Sequence, residues 1–218
     1  MHIQAVRPLP LAGLQVIRFT RFRDARGYFT ETFRRGDVLR HPEVTGLGGA
    51  LPIVQCNESY SRPGVVRGLH FQWDPFMGKL VRTIAGHMLD LVLDIRLGSP
   101  TFGRIMVHDM PAAADDPEGE WLWVPPGFAH GNLFLEPTVI EYLCTGEYNH
   151  DCEAGISPLA PDLDWSLCPP ALRDRWQAAV TSSDLIITDK DRGGLTLAAW
   201  TADPRSREFV YGRAGIDP

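Results

Sequence analysis

Met88-Leu89-Asp90-Leu91-Val92-Leu93-Asp94-Ile95-Arg96 puts Leu89, Leu91, Leu93 and Ile95 on one side of an extended chain and Asp90, Asp94 and Arg96 on the other. Side chains of a strand alternate in direction, so this period predicts a β-strand with one apolar face buried in a core. The polar face has two readings. It lines the inside of a barrel wide enough to hold a ligand, or it is an outer face turned to water.

Working outward, short runs rich in Val, Ile, Leu and aromatic residues alternate with Gly, Pro and Asp, the pattern of a mainly β protein with many short strands. Strands are expected at Val16–Thr20, Tyr28–Phe33, Ile53–Ser59, Val65–Gln72, Leu80–Ile84, Met88–Arg96, Arg104–Asp109, Trp121–Val124, His130–Leu135 and Val139–Leu143. Two segments read as helical. Pro170–Thr181 begins on a proline suited to a first helical turn and repeats Leu172, Trp176, Ala179 and Val180 at helical spacing, while Arg34–Arg40 reads as a short turn of helix. Pro111–Gly119 reads as an acidic loop, and Thr201–Pro218 as either an ordered strap or a flexible tail.

A chain of 218 residues suits one well-buried β unit, with residues 1–192 as the barrel domain and 193–218 as a C-terminal extension of it. Hydrophobic residues at 44% and charged residues at 22% are ordinary for a globular protein. A net charge of −6 gives no broad basic surface for nucleic acid, and no apolar run reaches the length of a membrane span. Met1-His2-Ile3-Gln4 lacks the basic and long apolar blocks of a secretory signal, so a cytoplasmic setting is expected. Cys56, Cys144, Cys152 and Cys168 form no C-x-x-C pair and are expected to be reduced thiols.

Candidate chemistry centres on Arg67-Gly68-Leu69-His70-Phe71-Gln72. A lone histidine in a strand wall more often serves packing than catalysis, but His70 has cations nearby in Arg67 and Lys79. By parity His70 and Gln72 share a side while Arg67 faces away, so a pocket holding both Arg67 and His70 requires a bulge at Gly68. Pro125-Pro126-Gly127-Phe128-Ala129-His130 resembles the second half of a cupin metal signature without its first half, so a metal-dependent cupin oxygenase is a weaker alternative. Tyr142 reads either as a barrel-wall aromatic or as a proton donor, and Asp191 alone reads as part of a charged loop.

Asp24-Ala25-Arg26-Gly27-Tyr28-Phe29, Gln55-Cys56-Asn57, Arg67–Gln72, Gly78–Arg82, Asp94–Gly103 and Pro125–Gly131 follow one another in the order found in the dTDP-4-dehydrorhamnose 3,5-epimerase family, which the chain resembles from about Phe19 to Asp191. The resemblance implies a cupin-like jelly roll, usually a homodimer, acting on a nucleotide-linked 4-keto-6-deoxy sugar, dTDP-linked by family pattern, without a metal or redox cofactor. It implies that His70 is the base, Asp191 its orienting carboxylate and Tyr142 the acid on the opposite sugar face. Arg67 and Lys79 resemble cations beside the substrate, and His130 a polar wall residue. Gln72 shares the substrate-facing side with His70, and Arg26, Glu31, Gln55, Asn57 and Tyr148 match nucleotide-side positions. Epimerisation at C3 and C5 is the leading expectation. A monofunctional 3- or 5-epimerase and a noncatalytic sugar-nucleotide-binding cupin are the alternatives.

Overall fold

The alternating stretch is the second half of one long strand, β7 (Lys79–Asp94), on which two sheets meet. The computed structural model describes residues 1–47 and 52–213. In the first sheet, β1 (Ile3–Pro8) pairs with β2 (Gln15–Thr20), which pairs with β9 (Glu118–Val124), and β9 pairs with the start of β7. The same half of β7 pairs on its other side with β11 (Thr138–Cys144), which pairs with β5 (Gln55–Ser61). In the second sheet, the far half of β7 lies between β8 (Ile105–Ala112) and β10 (Phe128–Phe134), and β10 pairs with β6 (Val65–Gln72). Two short strands complete that edge: β12 (Glu153–Gly155), antiparallel to the end of β6, and β13 (Ile186–Ile187), parallel to its start. The result is a cupin-like jelly-roll barrel of facing antiparallel sheets.

Leu80–Ile84 and Met88–Arg96 are therefore one strand, not two. Gly86 between them has φ +92°, and an added Cβ there would lie 2.4 Å from the Pro137 carbonyl oxygen, so the glycine bends the chain from one sheet into the other without ending it. The expected loop at Pro111–Gly119 is shorter than predicted, because β8 runs on to Ala112 and β9 begins at Glu118. Tyr28–Phe33 is strand only at its start: β3 (Phe22–Asp24) and β4 (Gly27–Phe29) form a separate exposed hairpin.

Three apolar layers result. Val16, Val81, Leu122 and Val124 of the first sheet meet Met88, Val92, Phe128 and Phe134 of the second between the sheets. Behind the second sheet, Leu89, Leu91, Leu93 and Ile95 pack with Trp176, Trp200 and Phe209. Behind the first, Trp121 and Trp123 pack with Val38 of α1 (Arg35–Arg40). Both faces of Met88–Arg96 are thus buried, and Asp90, Asp94 and Arg96 are each 0% exposed, which removes the reading of a solvated outer face.

The predicted helix forms as α2 (Pro170–Val180), with Pro170 in its first turn and Trp176 buried against the barrel. Beyond it come α3 (Asp189–Arg192) and α4 (Leu197–Ala202). Trp200 of α4 donates from Nε1 to the Ile95 carbonyl at 3.2 Å, and Val210 bridges to Leu97, so the chain through 213 is an ordered strap. Residues 214–218 of the predicted strap or tail lie outside the described residues. All four cysteines are free thiols.

Candidate active site

Gly68 carries out the distortion that parity demanded. His70 pairs with His130 and Arg67 with Asn132, so three steps along β6 match two along β10. The extra residue is a bulge that reverses parity and turns Arg67 and His70 to the same side. Gly68 has φ +109°, and the backbones of Gly68 and Gly131 approach so closely that a Cβ on either would fall 2.5 Å from the other strand.

The second sheet contributes His70, Arg67, His130 and Asn132, and the first contributes Lys79, Tyr142, Gln55 and Asn57. Two adjoining cavities of about 320 and about 210 Å³ between them share His70, Lys79 and Tyr142. The larger also meets Gln55, Asn57, Gln72, Tyr148 and Glu153, and the smaller Arg67, His130, Asn132 and Asp191.

Asp191 reaches this place because β13 runs parallel to the start of β6 and hands the chain to α3, whose N-cap Thr188 accepts from the Asp191 backbone N–H at 3.1 Å. Its Oδ1 lies 2.6 Å from His70 Nε2, and its Oδ2 accepts from the Gly68 N–H at 3.4 Å. Burial works to raise the Asp191 carboxyl, but the His70 hydrogen bond and charge, with help from Gly68 and Thr188, hold it below the usual carboxylate range. An ionised carboxylate only accepts, so Nε2 carries the hydrogen and Nδ1 of neutral His70 keeps a free lone pair.

Tyr142 stands on the opposite wall. Burial pushes its phenol above the usual value, with the nearby Cys144 thiol adding to this and Arg67 and Asn57 partly offsetting it, so the phenol holds its proton at neutral pH. The Lys79 ammonium has no hydrogen-bond or ion-pair partner among the described residues. Burial lowers its ammonium against the opposing influence of Cys144, Asp90 and Glu153.

The other predicted residues divide. Gln55 donates to Asn57 Oδ1 at 3.0 Å and accepts from the Tyr148 N–H at 2.8 Å, which ties three of them into one rim. Gln72 lines the cavity, but its amide is committed to the Pro75 and Glu147 carbonyls and the Asn149 N–H, so it braces the rim. Arg26 and Glu31 do not line the cavity of this chain. Arg26 is 89% exposed at the β3–β4 turn and paired with Asp24, and Glu31 lies 2.9 Å from the Met1 ammonium.

Sequence reasoning did not name Asp90 and Glu153 as site residues, and it placed Asn132, which follows His130-Gly131, at the pocket without giving it a role. Asp90 accepts from His130 Nε2 at 2.8 Å and from Asn132 Nδ2 at 3.0 Å, so His130 is turned towards a carboxylate. Among the described residues no three or more His, Cys, Asp or Glu side chains are grouped to hold a metal ion. The polar face of Met88–Arg96 was the available signal for Asp90. Glu153, bonded to Tyr148 and Lys190, sits in a three-residue strand with no sequence signature.

A barrel cavity that opposes an imidazole–carboxylate pair to a protonated phenol, with a lysine on the phenol's side, can carry out acid–base chemistry at carbon. The family model described as dTDP-4-dehydrorhamnose 3,5-epimerase matches residues 8–199. A dTDP-4-dehydrorhamnose 3,5-epimerase of Sinorhizobium fredii is 39% identical over 186 residues, 84% of each chain. A dTDP-4-dehydrorhamnose 3-epimerase of Streptomyces niveus is 34% identical over 194 residues, 87% of each. The crystal structure of a dTDP-6-deoxy-D-glucose-3,5-epimerase from Legionella pneumophila with dTDP-4-keto-L-rhamnose superposes with a TM-score of 0.76 at 30% identity, covering 98% of this chain and 100% of that one. The chain belongs to the dTDP-4-dehydrorhamnose 3,5-epimerase family, a family of isomerases.

Proposed function

We propose that this chain epimerises a dTDP-linked 4-keto-6-deoxyhexose at C3 and C5, in the assembly of a dTDP-L-rhamnose-type sugar. The observation that carries this reading is the placement of the His70–Asp191 pair and Tyr142 on facing walls of one cavity.

A C4 ketone acidifies the hydrogens on both neighbouring carbons, because the carbanion left by either is delocalised as an enolate. His70 Nδ1 takes the proton from one face of the ring. Asp191 fixes the tautomer beforehand and stabilises the imidazolium that forms. Inversion needs the proton returned to the other face, and Tyr142 supplies it. Lys79, which has no ion-pair partner among the described residues, gains one as negative charge develops on the C4 oxygen, so its interaction is stronger in the transition state than in the ground state. Arg67 adds a second cation, and His130, held by Asp90, a polar wall.

Gln55, Asn57 and Tyr148 form the nucleotide side of the cavity, braced by Gln72. The protein works as a cytoplasmic homodimer. The exposed β3–β4 hairpin, with Phe22 at 53%, Tyr28 at 44% and Phe29 at 69%, is the surface that the partner covers, and Arg26 and Glu31 approach the nucleotide there. Sedimentation tests that assembly.

A one-centre epimerase is the second reading, supported by the similarity to a 3-epimerase. Incubation with dTDP-4-keto-6-deoxyglucose in deuterated water, read by mass and NMR, separates the two. Deuterium at C3 and C5 is expected, one labelled centre gives the second reading, and none overturns both.

A further inference from the structure

Asp90 has no exposed surface, yet it accepts from two side chains of β10 at once, His130 Nε2 at 2.8 Å and Asn132 Nδ2 at 3.0 Å. That pairing fixes which way the Asn132 amide points. A carboxylate only accepts, so the nitrogen faces Asp90 and the oxygen turns away. The nitrogen's other contact is the Met88 sulfur at 3.4 Å.

Oδ1 receives no hydrogen bond from any described residue. It is not among the fully enclosed polar atoms that lack a partner, and Asn132 lines the smaller cavity although the residue is only 6% exposed. The cavity therefore presents an acceptor, oriented by its own amide donor, that no described residue satisfies and that a ligand seated there can engage. Asn132 stands opposite Arg67 in the β6–β10 register, and Arg67 lines the same cavity as a donor. A group seated against both must accept from a guanidinium and donate to an amide oxygen. A hydroxyl does both, a ketone oxygen only the first, and a methylene neither.

We infer that Asn132 Oδ1 accepts a hydrogen bond from a ring hydroxyl of the sugar, at C2 or C3, and selects against sugars deoxygenated at that carbon. This rests on the epimerase reading above. Asn132 is then a specificity-determining residue, and its backing by Asp90 and Met88 is what holds the acceptor in place.

The test compares dTDP-4-keto-6-deoxyglucose with its 2-deoxy and 3-deoxy counterparts, in wild type and Asn132→Leu. The readout is kcat/KM for deuterium uptake at C5, a centre that all three sugars carry. Wild type is expected to lose about 10–100-fold on one of the two deoxy sugars. Asn132→Leu is expected to lose a similar factor on the parent and to show no further loss on that deoxy sugar. A merely structural Asn132 would slow all three sugars alike and leave the deoxy penalty intact, which overturns the inference. Should the leucine variant not fold, wild type alone decides against it if neither deoxy sugar is penalised tenfold. If wild type fails to exchange even the parent sugar, the epimerase reading falls and takes this inference with it. Exchange of the parent with an unchanged penalty in Asn132→Leu removes the inference alone.

Discussion

His70 Nε2 and Asp191 Oδ1 lie 2.6 Å apart although 121 residues separate them in sequence, and the Asp191 side chain is 6% exposed where His70 is 33% exposed. The carboxylate is thus enclosed behind the ring while the ring meets the cavity. Asp191→Asn replaces an obligate acceptor by an amide able to donate, which favours the wrong tautomer of His70. We expect kcat to fall about 10²–10⁴-fold with little change in KM, measured by steady-state kinetics. The sign with pH follows from the lowered Asp191 carboxyl. Its folded-state stabilisation is fully present above the ordinary aspartate pKa of about 3.9 and is lost as pH falls through the depressed value, so the variant differs least from wild type in stability under strong acid.

Gly68→Ala puts a Cβ 2.5 Å from the Gly131 Cα and 2.7 Å from the His130 carbonyl oxygen, both backbone atoms that cannot swing aside. We expect a loss of about 1–3 kcal/mol in urea unfolding together with loss of activity, since the bulge sets the aim of both Arg67 and His70. Gly98→Ala is the control for backbone conformation alone. Gly98 has φ +82° and nothing within 4 Å of an added Cβ, so its variant should lose stability but keep its turnover.

Tyr142→Phe keeps the base and removes the acid. Proton abstraction then continues with return from the same face, so deuterium should still enter the recovered substrate while formation of inverted product falls about 10²–10⁴-fold. NMR of the recovered sugar distinguishes the two events. Equal loss of exchange and inversion would assign Tyr142 to positioning and not to protonation.

Asp94 and Arg96 form a pair with no exposed surface, closed by Ser99 Oγ and Thr101 Oγ1, each 2.6 Å from Asp94 Oδ2. Burial alone would raise the Asp94 carboxyl, but Arg96, Ser99 and Thr101 hold it below the usual range. Asp94→Ala removes the buried carboxylate on which Arg96, Ser99 and Thr101 converge, and we expect a loss of about 3–5 kcal/mol at pH 7 by urea unfolding. The gap from wild type should narrow below about pH 4, where the native protein also begins to lose this stabilisation.

The barrel was legible because Met88–Arg96 alternates cleanly, and the bulge at Gly68 because two cavity-facing residues stood at a forbidden spacing. The join at Gly86 was not, since a glycine that bends a strand reads the same as one that ends it. β12 and β13 are too short to carry a period, yet β13 is what brings Asp191 to His70, so that pairing was visible only through the family resemblance. Asp90 was half legible: its face was known to be polar, but its partners on β10 depend on register. The positions of Arg26 and Glu31 on an exposed hairpin and beside the N-terminus reflect local pairing that a linear motif does not encode.

The proposed chemistry turns on His70 removing the proton. The most direct measurement is deuterium wash-in at C3 and C5 of dTDP-4-keto-6-deoxyglucose by His70→Asn, with folding checked by urea unfolding. We expect exchange slowed about 10²–10⁴-fold at both carbons. Exchange at the wild-type rate in the folded variant would contradict it.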